Sequence, residues 1–420
     1  MKKSYLLIPI LLLTSCGSVE DNTFVQLRKV SEDKTSQEII DNYDEYRDFL
    51  DKYNSFSSEL TSTYFSKNKK DNFIISPLTS YFVVSSASLC LNDSAKNEIL
   101  TVLDMEEREI LKYNKHLYSK LNGGMVSGHA LVNNSLWVNN DINLKEDCLN
   151  VLADELCFDS FHIDANNDKA GELLSSYIKE KTNNFLDGEI EFNKYTDVSF
   201  LSVSYLHTLW ESDESLLKKV DNFTFLNNNG KKVKLSALEG KYNYGKIYKD
   251  DKLSHFYTTT ADGYKLKFIV PNDGVKLSEI INADTINKIN SKINYWDETY
   301  NYYTKCIFPE FETITNTDLK SVLKQMNIDK IFSISGNVFE RLTNDRIVLN
   351  RLTHDAKINV TSKGIESGSY TVLETIEEAV GGDSNKHSKY ETFEVNKNFF
   401  YLITNQTDEI VYSGVVLNIE

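Results

Sequence analysis

The chain has 420 residues and a mass of 48.2 kDa, enough for one large or two medium domains. Hydrophobic residues make up 40%, aromatics 12% and charged residues 26%, a balance that argues against global disorder and supplies a sizeable core. The formal charge of −16, from 46 basic and 62 acidic residues, argues against a nucleic-acid binder, and only 4 prolines argue against Pro-rich arrays.

The N-terminus reads as an address. Lys2 and Lys3 form a basic n-region, and Tyr5 to Leu13 make an apolar h-region too short to span a bilayer. No later apolar run is long enough to span one. Leu13-Thr14-Ser15-Cys16-Gly17 resembles a bacterial lipobox, which implies cleavage before Cys16 and attachment of palmitate-like chains to that residue. The expected boundaries are a signal peptide over 1–15, a lipidated cysteine and polar tether over 16–38, and one domain over 39–420. Removing residues 1–15 takes away two lysines and no acidic residue, so the mature charge is −18. Such a surface is not drawn to anionic lipid, which leaves Cys16 to anchor an exported protein to a membrane or the cell surface.

From Gln37 to Lys67, apolar and aromatic residues recur at helical spacing (Tyr43, Tyr46, Leu50, Tyr53, Phe56, Leu60), which predicts one or two amphipathic helices. Val83 to Leu91 reads as a buried helix with small residues on its surface, and Ala95 to Met105 as another. Helical patterns return at Lys169–Phe185 and Asp318–Met326. Strand-like runs fall at Ala130–Val138, Lys265–Val270, Lys305–Phe311, Lys357–Val360, Asn398–Ile403 and Ile410–Leu417. Helices crowd the first half and strands the second, which predicts an α+β sheet protein in one domain.

Catalytic chemistry finds no support. The chain lacks GxGxxG, P-loop, HExxH and GxSxG signatures, and its seven histidines stand apart from one another and from cysteine. No cofactor or metal is expected, and the chain does not read as an enzyme. Carboxylates are too abundant for any pair to mark a glycosidase. Cys90, Cys148, Cys157 and Cys306 lack CxxC spacing and read as buried thiols, with a Cys148–Cys157 bridge as the alternative an export route permits.

Several separated segments, taken in order, resemble the serpin family of serine-protease inhibitors. Asn72 to Ser80 (NFIISPLTS) resembles the family's N-x-x-x-S-P-x-S, and Ala95 to Leu100 continues the match. Asn134-Ser135-Leu136-Trp137, the run Ser202 to Trp210, and Phe268-Ile269-Val270-Pro271 follow in register. Phe308-Pro309-Glu310-Phe311 with Asp318-Leu319-Lys320 and Val322-Leu323, then Val395 to Phe399 and Gly414 to Asn418, complete it. The resemblance covers about residues 40 to 420. It implies three β-sheets, about nine helices and an exposed reactive-centre loop after Val360. It also implies a polar cluster of Ser76, Thr79, Ser202 and His354 beneath the main sheet, with Trp210 below the top of that sheet. Ser202 stands where the family has Asn, and Ser is expected to replace part of the network. Glu310 and Ser362 stand where the family has Lys and Glu, so a reversed pair of Glu310 with Lys363 is an expectation.

The implied function is inhibition of a target serine protease, or a cysteine protease, by a monomer. The protease cuts the loop, is held as an acyl-enzyme, and is distorted as the loop enters the sheet as a new strand. Such a strand needs one uncharged face, because side chains alternate with period two. Ile365, Ser367, Ser369, Thr371, Leu373 and Thr375 carry no charge, whereas Glu366, Gly368, Tyr370, Val372, Glu374 and Ile376 hold both glutamates. The hinge therefore reads as Gly364 to Thr371, with Ile365 and Tyr370 departing from the family's small residues. The family's usual loop length puts the scissile bond near Glu378-Ala379, and the long span to Asn396 keeps Val380 and Lys386 as candidates. The degraded hinge keeps open a second reading, a non-inhibitory binding or structural lipoprotein.

Overall fold

The computed structural model describes residues 24–30, 43–123, 125, 127–188, 190, 192, 196–210, 217–243, 245–291, 299–349, 352–366 and 387–420. The chain begins with strand β1 (Phe24–Arg28), then helix α1 (Tyr43–Lys67), β2 (Phe73–Ile75), α2 (Pro77–Ser88), α3 (Asp93–Leu103) and α4 (Glu107–Leu121). Next come β3 (His129–Asn139), α5 (Glu146–Asp154), β4 (Phe158–Ile163), α6 (Ala170–Lys181) and the long β5 (Val198–Leu209). Strands β6 (Leu217–Leu226), β7 (Lys232–Tyr242), β8 (Tyr248–Lys249), β9 (Leu253–Thr259) and β10 (Lys265–Pro271) precede the short helices α7 (Leu277–Ile280) and α8 (Ala283–Ser291). The rest is β11 (Tyr300–Pro309), β12 (Phe311–Asp318), α9 (Lys320–Gln325), β13 (Thr353–Thr361), β14 (Gly364–Glu366), β15 (His387–Glu394), β16 (Phe399–Thr404) and β17 (Ile410–Val416).

Among the described residues these elements make nine α-helices and three sheets, an α+β fold. The large sheet runs β1-β4-β3-β5-β14-β13-β12; a second runs β2-β17-β16-β10-β9-β8, and a third β15-β11-β7-β6. In the second sheet, FFYLIT of β16 and IVYSGVV of β17 are buried throughout, so these strands read as continuous apolar runs without alternation. By contrast β13 (THDAKINVT) alternates strictly between half-buried and buried positions, because only one face of the large sheet meets the core there.

Helix α2 sits at the centre, and all twelve of its residues are buried. Its start is set by Ser76, whose Oγ accepts from the Thr79 N–H at 3.3 Å, and by Pro77 in the first turn, where no N–H is needed. Four serines on α2 leave room for sheets to approach it closely, and Ser80, Ser85 and Ser88 return their hydroxyls to carbonyls of the preceding turn. Helix α1 is a single helix of 25 residues whose Phe49, Tyr53, Phe56 and Leu60 are buried.

Two expectations need correction here. Residues 24–28, placed by composition in the tether, form the edge strand β1. It pairs antiparallel with β4 from Phe24↔Ile163 to Arg28↔Ser160, and the Phe24 ring meets the edges of Trp137 and Phe161 at 5.5 and 5.8 Å. Five residues carry too short an alternation to stand out in a polar stretch; the ladder to β4 and the ring contacts of a still partly exposed Phe24 decide it. The run Lys305–Phe311 is not one strand. It holds the end of β11 and the start of β12, split at Glu310, where the chain leaves the third sheet and joins the large one. The reading of the cysteines as buried thiols holds: all four described cysteines are free and buried, the alternative Cys148–Cys157 bridge is not made, and the thiol beside Cys148 is that of Cys90.

Candidate functional site

The large sheet is parted in its middle. Strand β5 pairs along its full length with β3 on one side, from His129↔His207 to Val138↔Val198, and β13 pairs with β12 on its far side. Between them lies only β14, three residues long, bonded to both: Val360↔Ile365 and Asn359↔Glu366 toward β13, Gly364↔Leu209 and Ile365↔Thr208 toward β5. Among the described residues no ladder joins β5 to β13 below it. The gap is a cleft of about 790 Å³, including its open mouth, lined by Leu201–Leu206 of β5 and Thr353–Ile358 of β13. The segment of α6 and the turns after it (Ile178, Phe185, Leu186) cover one side, and Ser76, Thr79 and Tyr412 form the floor. Two strands that flank β14 and make no ladder with each other among the described residues form a lane one strand wide, where an entering strand could bond to both edges.

The top of the lane is closed by the turn between β13 and β14. Gly364 is required there: a Cβ at this position would stand 2.2 Å from the Thr208 carbonyl oxygen and 2.8 Å from the Leu209 Cα. Trp210 pins the turn twice. Its backbone N–H donates to the Lys363 carbonyl at 3.2 Å and its indole Nε1–H to the Thr361 carbonyl at 2.7 Å, while its ring meets the Phe308 edge at 5.7 Å. The carboxylate of Glu310 accepts the Ser362 N–H at 2.8 Å and lies 3.9 Å from Lys219 Nζ. The expected Glu310–Lys363 pair is not made, because the turn aims its backbone, not its lysine, at the carboxylate.

We expect Trp210→Phe to keep the ring contact and lose one buried donor, lowering unfolding free energy by about 1–2 kcal/mol. Amide exchange at Gly364–Glu366 should quicken in the same variant. Unchanged exchange there would mean that the indole does not hold the hinge.

The floor shows which of the four polar candidates come together. His354 is buried, and its Nε2 accepts from the Ser76 N–H at 3.0 Å. Ser76 Oγ donates to the Val411 carbonyl at 3.0 Å, and Thr79 Oγ1 donates to the Ser76 carbonyl at 3.2 Å. Burial pushes the His354 imidazole down to about 4, so the ring is neutral at pH 7 and free to accept. Ser202 does not join. Its Oγ is buried with no hydrogen-bond partner, and so are both amide atoms of Asn134, directly opposite it on β3. The expectation that Ser would take over part of the network is corrected: a hydroxyl on Cβ is too short to bridge an open lane to His354. Sequence reasoning also missed Ser204, whose Oγ lies 2.9 Å from the Tyr412 hydroxyl on the same floor.

On the hinge, Ile365 faces the core and is 3% exposed, sharing its face with the buried Val360 and Thr208. Only the start of the predicted hinge, Gly364 to Glu366, can be placed. Ser367, Gly368, Ser369, Tyr370 and Thr371, and the scissile candidates Glu378, Ala379, Val380 and Lys386, lie outside the described residues, as does Cys16.

A parted sheet with its loop's first residues in the gap is a specific architecture, and comparison with known families identifies it. The model of the serpin (serine protease inhibitor) family matches residues 51–419. The chain belongs to the serpin family. A serpin-like protein of Methanosarcina acetivorans, itself uncharacterized, is 23% identical over 352 residues, covering 81% of this chain and 80% of the relative. Among solved structures, the thermophilic serpin tengpin in its native state superposes with a TM-score of 0.74 at 19% identity, covering 94% of this chain and 98% of tengpin. Thyroxine-binding globulin in complex with thyroxine superposes with a TM-score of 0.73 at 18% identity, covering 88% and 98%. These likenesses show the fold, in which the lane between β5 and β13 lies in the main sheet of this serpin. Membership of the family supports protease inhibition in general, with proteases as partners.

Proposed function

We propose that this serpin inhibits serine-type endopeptidases by loop cleavage, acyl-enzyme trapping and strand insertion. One observation carries the reading: β14 is bonded on both sides at the head of the lane between β5 and β13, so a cut loop would continue an existing ladder. Extending the observed pairing places Ser367 between Ile358 and Leu206, Ser369 between Ala356 and Ser204, and Thr371 between His354 and Ser202. Those six neighbours face the floor, and small uncharged side chains suit it. Burial of that track, together with the ladder bonds the entering strand would make to both edges, supplies the driving force. The test is to mix the protein with proteases of elastase-like, trypsin-like and glutamate-directed specificity. A complex that survives a denaturing gel, and a cut mapped at Glu378-Ala379, Val380 or Lys386, supports the reading.

A second reading, a binding or structural protein without inhibition, has Ile365 in its favour. Its bulk already fills the top of the lane, and thyroxine-binding globulin has the same fold. Cleavage of the loop without a rise in thermal stability, and with the protease left active, would select this reading.

We further propose export and lipid anchoring through Cys16, which would tether a monomer to a membrane and put its loop before secreted or surface proteases. Replacing Cys16 with Ser should move the protein from the membrane fraction to the soluble fraction. A variant that still pellets with membranes would end the anchoring proposal.

A further inference from the structure

Two buried thiols meet on the inner side of the large sheet. Cys90 follows the end of α2, and Cys148 lies in the first turn of α5, which leads from β3 to β4. Their sulfurs are 3.2 Å apart, and the residues are 0% and 8% exposed. A disulfide needs about 2.05 Å, so closing the pair takes a movement of roughly 1 Å. No other pair of cysteines among the described residues makes such a contact. Cys90 is well placed by its surroundings: its N–H donates to the Ala87 carbonyl at 2.9 Å, and its carbonyl accepts from the Arg341 N–H at 3.2 Å.

We propose that Cys90 and Cys148 are a disulfide site, closed when the protein meets a disulfide oxidant. Cys148, the more accessible, attacks the oxidant as thiolate and releases one thiol, leaving a mixed disulfide. Cys90 then attacks the Cys148 sulfur and expels the second thiol, with both cysteine protons passing to the two departing thiols through water. Two protein thiols are oxidised and one disulfide is reduced. Burial, with Cys148 beside it, holds the Cys90 thiol in its protonated form, so the exchange occurs when α5 opens or while the chain folds.

The bond would have a mechanical consequence. Helix α2 carries Ser76 and Thr79 at the lane floor, whereas α5, β3 and β4 belong to the half of the sheet on the β5 side. Joining them ties that half-sheet to the floor, so the β5 edge can no longer adjust over α2 as a strand enters the lane. Oxidation should therefore slow insertion, a consequence that rests on the inhibitory reading, whereas the bond itself does not.

The experiment treats the full chain with oxidised glutathione and maps a non-reduced digest after alkylation in denaturant. The expected result is one cross-linked pair joining the Cys90 and Cys148 peptides, with Cys157 and Cys306 alkylated. The oxidised protein should melt about 5 °C above the protein treated with dithiothreitol, since the bond closes a loop of nearly sixty residues. Cys148→Ser should abolish that redox response, and Cys90→Ala serves the same purpose if the first variant does not fold. Full alkylation of Cys90 and Cys148 after oxidation, or a cross-link to Cys157 or Cys306, would overturn the site. A bond that forms without slowing complex formation by an active inhibitor would overturn the tie to the lane.

Discussion

Replacing Ser369 with Arg is expected to turn the inhibitor into a substrate. The observed ladder, continued, sets position 369 between Ala356, 3% exposed, and Ser204, on the face that meets the core. A guanidinium there loses its water and finds no carboxylate among those neighbours; leaving such a charge unpaired costs several kcal/mol. Insertion would fall behind deacylation, and covalent complex on a denaturing gel should drop at least ten-fold against the same protease. Glu366→Arg is the control, because its partner Asn359 lies on the half-buried outer face, where a charge keeps its water. Its yield should stay within about two-fold of the parent. Equal losses in both variants would refute the register.

Acid is expected to loosen the same region. His354 is neutral in the fold, held down to about 4 from an ordinary 6.5, and His255, buried on strand β9 of the second sheet, is held down to about 3. Both shifts arise first from burial, which disfavours the charged ring. A depressed folded pKa means that the unfolded chain takes up the proton first. The stability is therefore complete above pH 6.5 and drains away as pH falls toward 4. For His354 alone the loss across that window is on the order of 3 kcal/mol. The partner is lost as well: a protonated ring can no longer accept from the Ser76 N–H under the lane. Asp408 and Glu409, whose carboxyls are held below their ordinary values by Lys267, Lys265 and Lys120 against the opposing effect of burial, lose stability in the same direction toward the acid end, so the comparison with a His354 variant is what isolates the imidazole. Denaturant midpoints measured at pH 7.5 and pH 4.5 should fall steeply for the parent and less for His354→Gln. Identical slopes for the two proteins would show that His354 carries none of the effect.

Both predictions draw on features visible at different depths. The alternation in β13 and the segregation of charge in the loop were legible, since burial on one face leaves a period-two record in composition. The start of α2 was read late, at Val83, although its Ser76 cap and Pro77 start are local features. The family's segments in order were enough to expect three sheets and an opening loop, and matches over residues 51–419 accord with that.

The other misreadings have one cause in common. Strand β1 exists because Phe24 meets Trp137 and Phe161, more than a hundred residues away, and five residues in a polar stretch carry no sign of it. Glu310 chose the Ser362 amide over Lys363, and Ser202 found nothing at all. Each outcome depends on which backbone a side chain of fixed reach happens to face once distant strands are packed. Sequence by itself determined which faces are buried and the uncharged track of the loop, because those are set by neighbours within a few residues. Tertiary structure alone decided that β5 and β13 stand one strand apart, with Gly364 and Ile365 already between them. That spacing is a balance of ladder bonds and packing across the whole sheet, and no local pattern encodes it.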